Sequence, residues 1–195
     1  MPRPSRRTAI VAGALLVLGA IPTIYIVAGS RFPPDTTPEG AYLRLVLAVG
    51  DDHLERAFAY LETDAQHACF TLFDYERRAW GLVAASYPEP ERTRLLAQYR
   101  LAHDAPDGES FFAKLAHARG WVDRLRRDLS GIARVETSGE RATIETARGT
   151  RYPFRKRDNG IWGTTLFTAE LREGAQRAAR DFSVVERAAA DYGAR

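Results

Sequence analysis

Arg141-Ala142-Thr143-Ile144-Glu145-Thr146, Arg151-Tyr152-Pro153-Phe154-Arg155-Lys156, Asp158-Asn159-Gly160 and Ile161-Trp162-Gly163-Thr164-Thr165-Leu166-Phe167 follow one another, and their reading decides the fold. Successive side chains on a strand point to opposite sides, so Ala142, Ile144 and Thr146 share one face and Thr143 and Glu145 the other. Tyr152 and Phe154 alternate in the same way with Arg151, Pro153, Arg155 and Arg157. That pattern describes an antiparallel sheet packed on one face and wet on the other. Asp158-Asn159-Gly160 supplies residues that tolerate positive φ, as a tight hairpin needs. Ser138-Gly139-Glu140 and Gly149 mark the other turns between Ile132 and Thr168. Pro153 has no N–H for a ladder, which predicts an edge strand or a bulge at that position.

Upstream and downstream of this stretch the periodicity is helical. Thr37 followed by Pro38 predicts a capped helix with Leu45, Val46 and Val49 on its apolar face and Gly50 at its end. Asp52 opens a second helix with Leu54, Ala57, Phe58 and Leu61 on one side. Thr63-Asp64-Ala65-Gln66 has the form of a capping box. The helix it begins runs to about Tyr87 and is apolar on more than one side (Cys69, Leu72, Val83; Phe70, Phe73, Trp80), which predicts a central, buried element. Pro88-Glu89-Pro90 breaks it, a more polar helix with Leu95, Leu96 and Tyr99 follows, and Asp104 to Gly108 is a loop. Phe111, Leu115, Ala118, Val122, Leu125 and Leu129 form one helical stripe if Gly120 does not interrupt it. After the sheet, Leu171, Ala175, Ala178, Phe182, Val185, Ala189 and Tyr192 repeat with helical spacing. That helix is expected to lie back on its own domain rather than project toward another subunit.

Thr8 to Gly29 is a run of 22 residues without a charge, long enough as a helix to span the roughly 30 Å of a bilayer core. Arg3, Arg6 and Arg7 precede it and Arg31 follows, so the positive-inside rule places the N-terminus in the cytoplasm and the domain in the periplasm or outside the cell. The competing reading is a signal peptide cleaved after Ala28 or Gly29, against which the length of the apolar run counts. The expected organisation is therefore a tip and single-pass anchor at 1–31, a Pro-rich spacer at 32–37 and one α+β domain at 38–195. In it, helices pack on a curved antiparallel sheet of three to four strands and a long helix closes the chain. The 195 residues carry a formal charge of +3, but four of the 28 basic residues sit at 1–31, leaving 24 against 25 acidic residues in the remainder. The pI of 9.2 thus reports the flanks of the apolar run, and no nucleic-acid partner is expected. A single cysteine, Cys69, excludes an intramolecular disulfide.

Candidate chemistry is sparse. His53, His67, His103 and His117 fall on four separate helical segments without ligand spacing, so no metal or cofactor is expected. Cys69 among apolar neighbours reads as a core residue rather than a nucleophile. Asp74, seven residues after His67, is the best general-base candidate, and a solvated carboxylate is the plainer reading. Asp74, Tyr75, Trp80, Tyr152 and Trp162 are the residues that would line a pocket. Arg151, Arg155 and Arg157, with Arg124, Arg126 and Arg127, read as a solvated basic face that Glu136, Glu145 and Asp158 balance, since no groove of stacking aromatics accompanies them.

Thr37-Pro38-Glu39 into Ala41-Tyr42-Leu43, the break at Gly50-Asp51-Asp52, then Arg141-Ala142-Thr143-Ile144, Tyr152-Pro153-Phe154-Arg155-Lys156 and Asn159-Gly160-Ile161-Trp162 together resemble the nuclear transport factor 2-like (cystatin-like α+β) superfamily. The resemblance covers residues 37–62 and 130–168. It implies helices packed into the concave face of a curved sheet, with a pocket between them. It also implies kinship with small bacterial envelope proteins and with single-pass secretion-system subunits whose periplasmic part has this fold. Ketosteroid isomerases and small dehydratases are enzymatic relatives, but no residue here matches a motif that would carry their catalytic role. The helical stretch at 64–129 and the long C-terminal helix depart from the family pattern. The expected function is a membrane-anchored binding or scaffold domain for an envelope protein, a second copy or an apolar ligand. A pocket isomerase or dehydratase is the alternative, recognisable by a buried acid or histidine on the pocket floor.

Overall fold

In the computed structural model, which describes residues 32–194, the sheet is a four-stranded antiparallel meander in the order β1-β2-β3-β4. Its strands are β1 (Ile132–Ser138), β2 (Arg141–Thr146), β3 (Arg151–Lys156) and β4 (Trp162–Thr164). The alternation places side chains as expected: Ala142, Ile144, Tyr152, Phe154 and Trp162 are buried on one face. Gly139 and Gly160 take φ of 59° and 83° in the two tight turns, where a side chain would be strained. Pro153, however, lies in an interior strand and at no bulge, opposite Thr143 of β2. The carbonyl of Pro153 accepts from Thr165 N–H at 3.0 Å, on the side where the β4 ladder has already ended at Phe154↔Thr164. Backbone N–H and C=O of a strand residue point the same way, so the missing donor faces a place where no ladder bond is due. The bulge falls in β1 instead, between Ile132 and Arg134.

Eight α-helices accompany the sheet among the described residues: α1 (Pro38–Gly50), α2 (Leu54–Ala57), α3 (Thr63–Ser86), α4 (Glu91–Gln98), α5 (Arg100–His103), α6 (Gly108–Ala118), α7 (Trp121–Asp128) and α8 (Thr168–Gly193). Thr37 caps α1 by accepting from Gly40 N–H at 3.1 Å. A 3-10 turn over Phe58–Tyr60 continues α2. Thr63 is not the cap of α3; Glu62 holds that position, and Gln66 donates from Nε2 to Phe58 O at 2.8 Å instead of closing a capping box. Gly120, at φ 66°, interrupts the expected stripe, giving α6 and α7 in place of one helix.

The inner sheet face meets α1, where Tyr42 stands 5.6 Å from Tyr152 between ring centroids and donates its hydroxyl to Ser130 O at 2.7 Å. Phe58, Phe112, Trp121 and Phe167 continue this core, with Trp121 stacked on Phe167 at 4.6 Å. At the β4 edge the chain crosses very closely. Leu61 bridges Thr164, and a Cβ on Gly163 would lie 2.5 Å from Leu61 O, so only glycine fits there. Asp35 and Thr36, inside the stretch expected to be a spacer, accept from the backbone N–H and indole Nε1–H of Trp162, each at 3.1 Å.

Helices α3 and α8 run side by side in the same direction. Thr168 hydrogen-bonds Glu62 at their starts, and Tyr87 donates to Val185 O at 3.2 Å near their ends. Leu171, Ala175, Ala178, Phe182, Val185 and Ala189 are all buried, so α8 lies back on its own domain as its periodicity predicts. From Pro34 onward the chain forms one compact unit. The span expected at residues 8–29, and with it the anchor at 1–31, lies outside the described residues. Among those described, no helix is long and apolar enough to cross a membrane.

Candidate functional site

Two apolar clusters divide the domain. One joins the sheet to α1, α6, α7 and the first halves of α3 and α8; the other gathers Ala79, Val83, Tyr87, Tyr99, Phe182, Val185 and Ala189 at the far end of the helix pair. Between them a cleft of about 160 Å³ opens, lined by α3, α8, Gln98 and Tyr99 after α4, and Arg119 at the end of α6. Its floor is Leu72, Ala79, Gly174 and Ala178 with Tyr75, Glu76 and Tyr99. Gln98, Arg119, Arg177 and Asp181 are exposed at its rim.

Glu76 is the unusual group. It is half-buried on the side of α3 that carries the buried Leu72, Ala79 and Val83. Burial pushes its carboxyl up to about 7; Arg119 opposes that rise and Asp181 adds to it. No hydrogen bond or ion pair holds it among the described residues. Tyr99 lies beside it with only 5% of its surface exposed, and burial, then Asp181 and Glu76, raise its hydroxyl above the ordinary value. Arg119 sets its guanidinium over the Trp121 ring, 5.3 Å from the centroid. Gly174 lies beside it: a Cβ there would stand 3.6 Å from Arg119 Nη2, an ordinary contact, and 3.3 Å from Leu72 Cδ2, a tight one. Arg177 is drawn outward by Glu173, at 3.8 Å.

Of the five residues expected to line a pocket, Tyr75 alone reaches this cleft. Asp74, the general-base candidate, points away from it and pairs with Arg78 at 3.5 Å, its side chain 63% exposed. Trp80 stacks on His103 at 3.6 Å. Tyr152 and Trp162 are core residues under the sheet, and burial pushes the Tyr152 phenol up to about 12. The space expected between helices and sheet is thus filled by Tyr42, Tyr152, Phe112, Trp121 and Phe167. Cys69 is buried with its thiol pushed up to about 12 by burial, which leaves it no thiolate near neutral pH.

The histidines are scattered: His53 contacts Glu55, His103 contacts Asp104 and His117 contacts Asp52, while His67 is exposed. No group of three metal-ligating side chains comes together among the described residues. The basic face is largely paired, with Arg151 on Glu136 at 2.9 Å, Arg155 on Glu62 at 3.5 Å, Arg126 on Asp52 at 2.8 Å and Arg157 donating to Ala59 O at 2.8 Å.

Glu76, Arg119 and Asp181 were not among the expected site residues. A signal for Glu76 exists in the sequence, since a carboxylate occupying an apolar stripe position is costly unless it has a use. Asp181 and Arg119 carry no such signal: they meet Glu76 only through the parallel packing of α8 on α3 and the turn after α6. No protein-family model, no curated protein and no solved structure matches the chain.

Proposed function

We propose that the chain is a binding domain, tethered to the membrane through residues 8–29 and held outside the cytoplasm, which takes a small polar ligand in the α3–α8 cleft. The carrying observation is Glu76, a half-buried carboxyl lining the cleft that makes no ion pair or hydrogen bond among the described residues. A half-buried acid without a protein partner costs stability when charged, and a ligand that supplies the partner offsets that cost. The filled inner sheet face leaves the cleft as the better seat, which favours a polar ligand over the expected apolar one. The uncharged run at 8–29 with its basic N-terminal flank supports the tether. Helices followed by an antiparallel meander, over residues 38–62 and 132–164, support a nuclear transport factor 2-like kinship, from which the parallel α3–α8 pair departs.

The same carboxyl favours a second reading, a proton-transfer enzyme, because a base poised near 7 suits that chemistry. Among the described residues no second acid or base hydrogen-bonds Glu76, which favours binding over catalysis. The test is a panel of small amines, carboxylates, sugars and nucleosides titrated into the labelled full-length chain in detergent. Shifts confined to Tyr75, Glu76, Tyr99 and Gly174 are expected for at least one class. A panel that moves none of these signals would overturn the ligand-site reading. For the tether, a reporter fused after Arg195 is expected to be active only when exported.

A further inference from the structure

Resting on the reading of the cleft as a ligand site, we infer that its ligand is a small zwitterion, a compact α-amino acid or betaine, with its ammonium group toward Glu76 and Asp181 and its carboxylate toward Arg119. The cleft presents both signs of charge, yet they do not satisfy each other. Glu76 on α3 and Asp181 on α8 make no ion pair within 4.0 Å among the described residues, and no carboxylate stands that close to Arg119. Packing sets these charges instead. Arg119 lies over the face of Trp121, and Glu76 lies on the cleft side of α3. Arg177, the other cation at the rim, already leans on Glu173 outside.

A ligand of one sign leaves part of this arrangement unmet. A simple anion would answer Arg119 and meet two carboxylates. A simple cation would answer the carboxylates and leave Arg119 unmatched. A molecule carrying both charges a few ångströms apart answers both, and hydrogen bonds to charged groups are the strong ones. Size narrows the class further. A volume of about 160 Å³ suits an amino acid with a short side chain better than a nucleotide or an oligosaccharide.

The experiment uses the full-length chain in detergent and compares L-alanine and glycine betaine with their halves, ethylamine and propionate, by calorimetric titration. The better of the two zwitterions is expected to bind at least about tenfold tighter than either half, and Glu76→Gln and Arg119→Gln each to weaken it about tenfold, as loss of one charged hydrogen bond would. Circular dichroism checks that both variants fold, and Gly174→Ala, which adds a methyl group to the cleft wall without removing a charge, should also weaken binding. Equal affinity for ethylamine and a zwitterion, or binding indifferent to Arg119→Gln, would overturn the zwitterion while leaving the cleft a ligand site. Silence from all four probes, together with a negative wider panel, overturns both.

Discussion

The sheet end of the domain and the far end of the α3–α8 pair are two separate apolar clusters of very different size. Under the sheet, large rings interlock: Tyr42 with Tyr152, Phe112 with Phe167, and Phe167 with Trp121. At the far end α3 and α8 meet through Ala79, Val83, Phe182, Val185 and Ala189, with Tyr75–Phe182 and Tyr87–Tyr192 as aromatic contacts. The smaller cluster removes less apolar area from water and so stabilises its end less. Between the two clusters the helices leave space unfilled, and there Glu76, Asp181 and Arg119 surround the cleft. The site thus lies at the seam between a large core and a small one rather than at the sheet.

The severest way to break the comparison is to remove α8. Truncation after Thr168 strips the partner of α3 along its whole length, and the cooperative thermal transition of the domain is expected to vanish. A truncated chain that melts as the full chain does would show that α8 contributes little to the core. Next in size is Trp162→Ala at the dense end. The indole is buried on β4 and tied to Thr36, so the loss should be about 3–5 kcal/mol in chemical denaturation, as for other large-to-small core changes. A loss under about 1 kcal/mol would move Trp162 to the surface. Phe182→Ala probes the thin end. Phe182 contacts Tyr75, and the guanidinium of the half-exposed Arg78 covers its ring at 4.4 Å, a flexible neighbour that can follow the smaller side chain. About 2–3 kcal/mol is expected, below the Trp162 value. Equal losses at the two positions would erase the distinction between the two ends.

What the sequence shows follows the same division. The meander was legible because Ala142, Ile144, Tyr152 and Phe154 alternate strictly and each turn has its own glycine. The burial of α8 was legible because a single stripe runs its length. Other features were decided by tertiary geometry. Pro153 sits in an interior strand because β4 is too short to need its N–H. Gly120 takes a left-handed conformation and splits a stripe that periodicity alone would have carried through. The site was least legible. Asp74, about two turns from His67 in the general-base reading, faces solvent, while Glu76 two residues later faces the seam, and a helix rotates those two positions some 200° apart. Only the partner helix determines which of them matters.

The smallest expected effect is also the most specific to the seam, a pH-dependent difference between the wild-type chain and Glu76→Gln. Burial raises the folded carboxyl from 4.5 to about 7, so between those values the folded state holds a proton that the unfolded state has released. Stability from this group is therefore fully present below about 4.5 and is lost as pH rises through about 7. Glutamine has the shape of the protonated acid and no such loss. The two proteins should be nearly equal in stability at about pH 4, with the variant gaining about 1–2 kcal/mol by about pH 8 once screening at the open mouth is allowed for. Glu89, Asp104 and Asp107 slope the other way, because hydrogen bonds hold their carboxyls below the usual range. They are common to both proteins and cancel in the difference. Denaturant midpoints measured across that pH window give the comparison directly. Profiles that stay parallel would mean that Glu76 is solvated like any surface acid, and the cleft would then lose the group on which its ligand chemistry rests.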